Sequence, residues 1–538
     1  MRTKIESSPT TRLEAHYGDR MVRCFADRAD NLCDILSASV ERCPDCEALV
    51  AGDARYTWRE LDVQVARFAA WFAARSIRPG DRIALLLENR AEFVIAFFAA
   101  LRVGAITVPL NVREQAPELA YMLRHSGARL IVHEEALASR LPDAALVPEL
   151  RHRLGLAACD VSEPFPALSE ALDPVGAAAI HEEDVAALLY TSGTTGRPKA
   201  AILTHLGMVH SALHYSHAMK LTEGDRLLSC VPLSHVTGLV AMMATAVSCG
   251  ATLLILRTFN AERFVALAAK ERMTFTLMVP AMYNICLLEP HFERHDLSSW
   301  RVGGYGGAPM PAPVIERLAQ MLPSLTLVNI YGATETTSPA TMMVANSNDR
   351  CNDSVGLPVP CAHVVVMDES GQQAVDGASG ELWIGGPMVA RGYWGDPVAT
   401  AAEFTGGYWH SGDIGSIDAD GFVRIFDRKK DVINRGGYKV YAIEVEAALA
   451  GHAAVAESAV VAKPCPVLGE RVHAFVTVTD STVDASTLKA YCSALLADYK
   501  VPDSFTLLTE FLPRNANGKI LKRHLRDSLI TGTDTVAS

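Results

Sequence analysis

Short apolar runs alternate with longer helical stretches up to about residue 355. The runs at 82–87, 105–109, 129–133, 186–190, 274–279 and 325–331 read as strands, and 91–101 reads as a helix between two of them. Unbroken apolar strands separated by helices point to parallel sheets covered on both faces. The texture then changes. From 356 to 425, short runs are broken by turns such as Gly356-Leu357-Pro358 and Gly385-Gly386-Pro387, which reads as a β-rich subdomain. After the charged run 427–431, the pattern predicts a helix at 442–449, strands at 457–462 and 473–478, a helix at 485–496 and a strand at 505–508. The expected fold is α/β. A large N-terminal domain (1–428) of parallel-rich sheets flanked by helices includes the β-rich part at about 355–428. A hinge at 429–432 leads to a small, mobile α+β C-terminal domain (433–538).

Composition narrows the classes. The 538 residues are 49% hydrophobic and 20% charged, which excludes disorder as the main character. No repeat is visible, so a solenoid is excluded. Forty-nine basic against 61 acidic residues give a net charge of -12, which removes any global electrostatic case for nucleic acid. The 12 Cys are scattered, and the close pair Cys43-Pro44-Asp45-Cys46 has no second pair with which to build a zinc site. It reads as structural or incidental. Residues 1–32 lack a secretory apolar core, the last residues Thr535-Val536-Ala537-Ser538 are no peroxisomal address, and a reducing cytoplasm is expected. The stretch 227–256 has no formal charge, but Pro232, Ser234, His235, Gly238, Ser248 and Gly250 break a lipid-facing helix. It reads as a strand (226–231), a loop, a buried helix (238–248) and a strand (252–256).

The sharpest chemical signal follows the apolar strand 185–189: Tyr190-Thr191-Ser192-Gly193-Thr194-Thr195-Gly196-Arg197-Pro198-Lys199. Small hydroxyl residues and two glycines let backbone N–H groups crowd round a phosphate, and Lys199 adds a positive charge. A Walker A loop is disfavoured, because Pro198 precedes the lysine and Ala200 follows it. A second run, Asn329-Ile330-Tyr331-Gly332-Ala333-Thr334-Glu335-Thr336-Thr337, follows a strand. A carboxylate beside a hydroxyl suits a magnesium ion that bridges phosphate oxygens. The alternative is a helix start capped by Thr334 or Thr336. In Tyr408-Trp409-His410-Ser411-Gly412-Asp413 a carboxylate ends a turn, where it either accepts from a ribose diol or shapes the turn.

Taken in order, these motifs resemble the adenylate-forming superfamily, which includes acyl- and aryl-CoA synthetases, amino-acid adenylation domains and firefly-type luciferases. The resemblance spans about residues 30–525. It implies that Thr191, Ser192, Gly193, Thr194, Thr195, Gly196 and Lys199 hold ATP. Tyr331 and Gly332 lie by adenine, Thr334 contacts the α-phosphate and Glu335 holds Mg²⁺. Asp413 takes the ribose and Arg428 the ribose and phosphate. In Phe426-Asp427-Arg428-Lys429-Lys430-Asp431, Lys430 is the hinge and Lys429 a solvated charge. Gly436, Gly437 and Tyr438 meet the pantetheine arm of coenzyme A. Lys519, in Pro513-Arg514-Asn515-Ala516-Asn517-Gly518-Lys519, enters the site for the first half-reaction.

The implied activity is an AMP-forming acid–CoA ligase. ATP adenylates a carboxylic acid with release of pyrophosphate, and a rotation at Lys430 lets coenzyme A take the acyl group. Lys199, His235, Thr334, Glu335 and Lys519 are the candidate catalytic residues. The run 231–238 aligns with the family's acid-binding stretch. Ser234 and His235 stand there where amino-acid-activating relatives usually carry Asp. Met242, Met243, Met282, Gly306, Gly307 and Ala308 suit a hydrophobic acid, fatty or aromatic. His235 either gates the pocket or caps a helix. Departures from the family pattern are Ala200 for a usual Gly, Asn434 for a frequent Lys, and Asn329-Ile330 for the Gln-Gly of coumarate ligases. Two other readings share the nucleotide motifs: an enzyme loading a carrier protein, and a non-catalytic nucleotide-binding protein. The expected partners are the acid, ATP and coenzyme A, with no nucleic acid and no membrane span. A homodimer stays open.

Overall fold

The computed structural model describes residues 9–157, 162–164, 175–191, 197–344, 354–375, 377–480, 482–514 and 520–531. A seven-stranded sheet runs in the order Lys199–Thr204, Val185–Thr191, Ile106–Pro109, Arg82–Leu86, Ala128–His133, His152–Gly155, Glu163–Pro164. Its first pair is antiparallel and the rest are parallel. A nine-stranded sheet has a parallel middle of Thr326–Tyr331, Val302–Gly306, Phe275–Met278, Arg226–Ser229, Thr252–Ile255 and Glu47–Ala51. Antiparallel strands finish both of its edges. This is the parallel-rich α/β architecture that the apolar runs predict. The helix Ala91–Arg102 is apolar nearly all round, and it is buried along its whole length.

The β-rich segment contributes His363–Met367, Gly380–Gly385, Tyr408–Ile417 and Val423–Arg428. The last hundred residues form an α+β layer. Its sheet contains Ile433–Arg435, Tyr438–Val440, Val455–Cys465, Gly469–Val478 and Ser504–Leu508. Val445, Leu449, Val460, Val472 and Leu488 fill its core. The chain divides into two compact units: Met1–Val364 with Trp383–His410 and Gly421–Val423, and Val365–Leu382 with Ser411–Asp420 and Arg424–Ser538.

Three local outcomes differ from the sequence pattern. Residues 11–25 form a hairpin of Thr11–His16 and Arg20–Phe25, tied to the large unit by Arg28, which pairs with Glu14 (2.6 Å) and Glu182 (2.7 Å). The helix expected at 238–248 winds as a π-helix over Thr237–Ala244 before Thr245–Cys249 becomes regular. The Thr245 hydroxyl supports the wide turn by donating to the Val240 carbonyl five residues back (3.0 Å). Gly238 is obligatory there, since a Cβ would sit 2.2 Å from the Pro232 carbonyl oxygen. Finally, Cys43 and Cys46 close as a disulfide, and among the described residues eight other cysteines are buried thiols. Among the described residues, no helix is long and apolar enough to cross a membrane.

The helix His205–Met219 carries a row of buried imidazoles. His205 Nδ1 accepts from Leu32 N–H (3.2 Å). His210 Nε2 accepts from Phe25 N–H (3.2 Å), and its Nδ1 donates to the Leu206 carbonyl (2.8 Å). His214 is fully buried with neither ring nitrogen bonded. Burial pushes His205 and His210 down to about 4 and His214 well below its ordinary value. The unfolded chain takes these protons near pH 6.5 and the folded chain resists them. Stability is therefore complete above that pH and is lost as pH falls toward 4. The unfolding free energy should drop between pH 7 and pH 5 by about 1–2 kcal/mol per buried histidine. His214→Leu should leave stability at pH 7 nearly unchanged and flatten the slope. Urea unfolding at the two pH values tests this, and an unchanged slope in the variant refutes it.

Candidate active site

The phosphate loop expected at 190–199 is the connection of a β-hairpin. Val185–Thr191 pairs antiparallel with Lys199–Thr204, and the register sets Thr191 directly opposite Lys199 at the loop's mouth. Ser192, Gly193, Thr194, Thr195 and Gly196 lie outside the described residues. Lys199–Thr204 is the edge strand of its sheet, and residues 391–394 run along it. Arg391 N–H donates to the Ile202 carbonyl (3.2 Å), Ile202 N–H to Gly392 (3.0 Å) and Trp394 N–H to Ala200 (2.8 Å). This covering segment delivers Tyr393 to the lysine, whose Nζ lies 4.9 Å from the centre of the phenol ring. The ammonium itself pairs with Glu403, the last residue of the helix Pro397–Glu403.

Glu335 sits in the single turn Thr334–Thr336 that follows Thr326–Tyr331. Gly332 makes the close approach there, as a Cβ would come 3.2 Å from Ala340 N. Thr336 is no N-cap. Its hydroxyl accepts from Ala333 N–H (2.9 Å), while Thr334 is half-buried. The buried Glu335 carboxylate accepts from Thr191 (3.3 Å), and the Tyr393 hydroxyl, which it shares with Glu403, lies 3.0 Å away. Burial pushes its carboxyl above the usual range, against these two hydroxyls. A buried carboxylate held by hydroxyls, whose neighbouring lysine is already paired, fits Mg²⁺. One other His/Cys/acid group has ligand-like spacing among the described residues, namely Glu14, His16 and Cys24. There Arg28 is the resident cation and holds the Glu14 carboxyl near 2.

Asp413 is buried and pairs with Arg428 (Nε to Oδ1 2.8 Å), whose Nη1 also donates to the Ser411 carbonyl (3.0 Å). Lys430 is exposed. Its neighbour Lys429 is exposed and reaches Glu381 (3.0 Å) at the surface. Gly436 and Gly437, both at positive φ (61° and 93°), make the two-residue turn between Ile433–Arg435 and Tyr438–Val440. Tyr438 is exposed and stacks on Tyr499 at 4.8 Å. Lys519 lies outside the described residues.

In the stretch expected to bind the acid, His235 precedes the wide helix, whose N-cap is Val236. The His235 Nδ1 accepts from Thr237 N–H (3.3 Å), and burial lowers its pKa, so the ring is neutral. The loop before it hangs on Asn89, which accepts from Leu233 N–H (2.8 Å) and donates to the Val231 (2.9 Å) and Leu256 (3.2 Å) carbonyls. These bonds end the strand at Ser229, two residues earlier than its apolar run suggests. Met242 and Met243 are fully buried on the wide helix, and Met282 is half-buried. Gly306 ends its strand where a Cβ would meet the Ile330 carbonyl at 2.4 Å. Gly307 and Ala308 are exposed beyond it. Sequence reasoning missed Tyr393, Glu403 and Asn89. Nothing in their local sequence marks them, for each acts on a segment more than a hundred residues away.

A hairpin that sets Thr191 opposite Lys199, with the buried Glu335 hydrogen-bonded to Thr191, is the arrangement expected of an adenylate-forming site. The chain belongs to the AMP-binding enzyme family, which matches residues 36–394, with the AMP-binding enzyme C-terminal domain at 444–519. A feruloyl-CoA synthase of Amycolatopsis is 35% identical, over 90% of this chain and 96% of that protein. The long-chain-fatty-acid–CoA ligase FadD13 of Mycobacterium tuberculosis is 32% identical, over 88% and 93%. The o-succinylbenzoate CoA synthetase (MenE) of Bacillus subtilis, solved with its acyl-adenylate intermediate, superposes with a TM-score of 0.83 at 29% identity, over 93% of this chain and 99% of that one. The same enzyme solved with ATP and magnesium also gives 0.83. This chain is an AMP-forming acid–CoA ligase that uses ATP, magnesium and coenzyme A.

Asn89→Ala should strand three backbone groups and lower stability by about 1–3 kcal/mol. It should also raise KM for the acid while leaving KM for ATP unchanged. Urea unfolding and steady-state kinetics check this, and equal changes in both KM values contradict it.

Proposed function

We propose that the chain converts a hydrophobic carboxylic acid, aromatic or fatty, into its CoA thioester. The observation that carries the acid class is the uncharged stretch 227–256, which supplies His235 and the buried Met242 and Met243. An acid whose far end bears a charge finds no partner there. The relatives named for ferulate and for long-chain fatty acids support the same class.

A carboxylate is a poor acyl donor because its leaving group is oxide. In the first half-reaction a carboxylate oxygen attacks the α-phosphorus of ATP, and the bond to pyrophosphate breaks. Negative charge gathers on phosphate oxygens. Lys199, the N–H groups of the 191–196 loop, Arg428 and Lys519 are the stabilising groups. Glu335 holds the magnesium, which neutralises phosphate charge when bound. Tyr331, Gly332, Thr334 and Asp413 bind the rest of the nucleotide. In the second half-reaction the thiol of coenzyme A gives up its proton, its sulfur attacks the acyl carbonyl, and AMP leaves. Gly436, Gly437 and Tyr438 admit the pantetheine arm. We place the boundary between the two halves of the machine at 429–432, with rotation at Lys430 withdrawing Lys519. The proposed location is the cytoplasm, on the eight buried free thiols among the described residues, which outnumber the single Cys43–Cys46 disulfide. The proposed assembly is a monomer or a homodimer, which sedimentation velocity separates.

Incubation with ATP, Mg²⁺, coenzyme A and a pooled acid library, read by mass spectrometry, tests the function. An aromatic or fatty acyl-CoA product is expected, and turnover of only charged or polar acids overturns the reading. Lys519→Ala should slow adenylation by about 10² or more. It should spare thioester formation from supplied acyl-adenylate. Equal loss in both half-reactions removes Lys519 from its assigned role.

A further inference from the structure

We propose that Glu403 and Tyr393 are positioning residues that hold Lys199 for the phosphates of ATP and tie it to Glu335. The inference rests on the reading that Lys199 meets those phosphates.

Lys199 ends a long flexible side chain, and an ammonium on four rotatable bonds gains little from a phosphate unless something fixes it first. Glu403 does so. The lysine side chain is 10% exposed and the glutamate 31%. The Tyr393 ring lies beneath the ammonium at cation–π distance. An ammonium has three N–H donors, so one bond to Glu403 leaves two for phosphate oxygens.

The chain of contacts continues. The second Glu403 oxygen accepts from the Tyr393 hydroxyl at 2.6 Å, and that hydroxyl lies 3.0 Å from Glu335, which also takes the Thr191 hydroxyl. Lys199, Glu403, Tyr393, Glu335 and Thr191 are thus one connected polar path. It joins the phosphate side of the site to the carboxylate on the metal side. Tyr393 is buried and packs edge-on against Phe404 at 5.5 Å, so the phenol cannot swing away. Glu403 closes a helix at the end where a carboxylate opposes the helix dipole. That placement is unfavourable without the lysine.

The test is a double-mutant cycle on Mg·ATP binding, read by calorimetry, which needs no knowledge of the acid. Glu403→Gln should weaken binding about tenfold, the scale of one charge-assisted hydrogen bond. Glu403→Asp should recover part of that loss. Lys199→Ala should weaken binding at least as much, and adding Glu403→Gln to it should change nothing further. Tyr393→Phe, with thermal melting as the fold control, should give a smaller loss that shrinks without Lys199 but does not vanish, because the same hydroxyl also lies against Glu335. Additive losses overturn the inference, since a merely structural glutamate acts whether or not the lysine is there. Tighter binding by Glu403→Gln overturns it too, because Glu403 would then compete with phosphate for the ammonium. If the unaltered chain does not bind Mg·ATP, the ligase reading falls as well as this one.

Discussion

Glu335 is a carboxylate with 8% of its surface exposed, and a carboxylate at that depth keeps its charge only if its surroundings repay the lost hydration. The Thr191 hydroxyl and the phenol shared with Glu403 do part of this, and burial still holds the carboxyl above the usual range. The site therefore carries a residual demand for positive charge. Lys199 does not meet it, because its ammonium is engaged by Glu403. Had the lysine paired directly with Glu335, the two would satisfy each other and leave little for a cation or a phosphate. Interposing Tyr393 and a second carboxylate keeps the lysine ordered without spending it on Glu335.

The scaffold makes this arrangement by an edge. The strand Lys199–Thr204 has a neighbour on one side only, so its outward backbone groups need partners. Residues 391–394 supply them, and in doing so set Tyr393 beside the strand's first residue. The same logic works at the stretch expected to bind the acid. Where the strand Arg226–Ser229 stops, Asn89 replaces the missing ladder with three side-chain bonds and shapes the loop that presents His235. In both places a backbone requirement, rather than a direct contact, carries a chemical residue to its post.

What was legible in the sequence follows from range. Apolar runs report burial on both faces within a few residues, so the parallel strands and the helix Ala91–Arg102 could be read with ends correct to one or two positions. The motif residues Thr191, Lys199 and Glu335 were legible because the loop and turn chemistry is local. Tyr393 and Glu403 were not, for they lie about two hundred residues beyond Lys199. No periodicity encodes a pairing made by chain topology. The π-winding of 237–244 was hidden for a different reason. An all-apolar segment gives no phase, and a regular helix and a widened one then share one hydrophobic signature.

The charged run at 427–431 does more than solvate the chain. The helix Ala442–Ala450 begins at Tyr441, which offers no side-chain cap, and the free N–H groups of Ala442 and Ile443 are taken by Asp427 instead. Four residues on, Asp431 pairs with Arg526 (3.0 Å) of the helix Lys522–Thr531. Asp427 and Asp431 thus stand on opposite sides of Lys430, and both grip C-terminal helices. Orphaned N–H groups at a helix start cost about 1 kcal/mol, and the Asp427 carboxylate supplies from outside the helix the cap that Tyr441 does not.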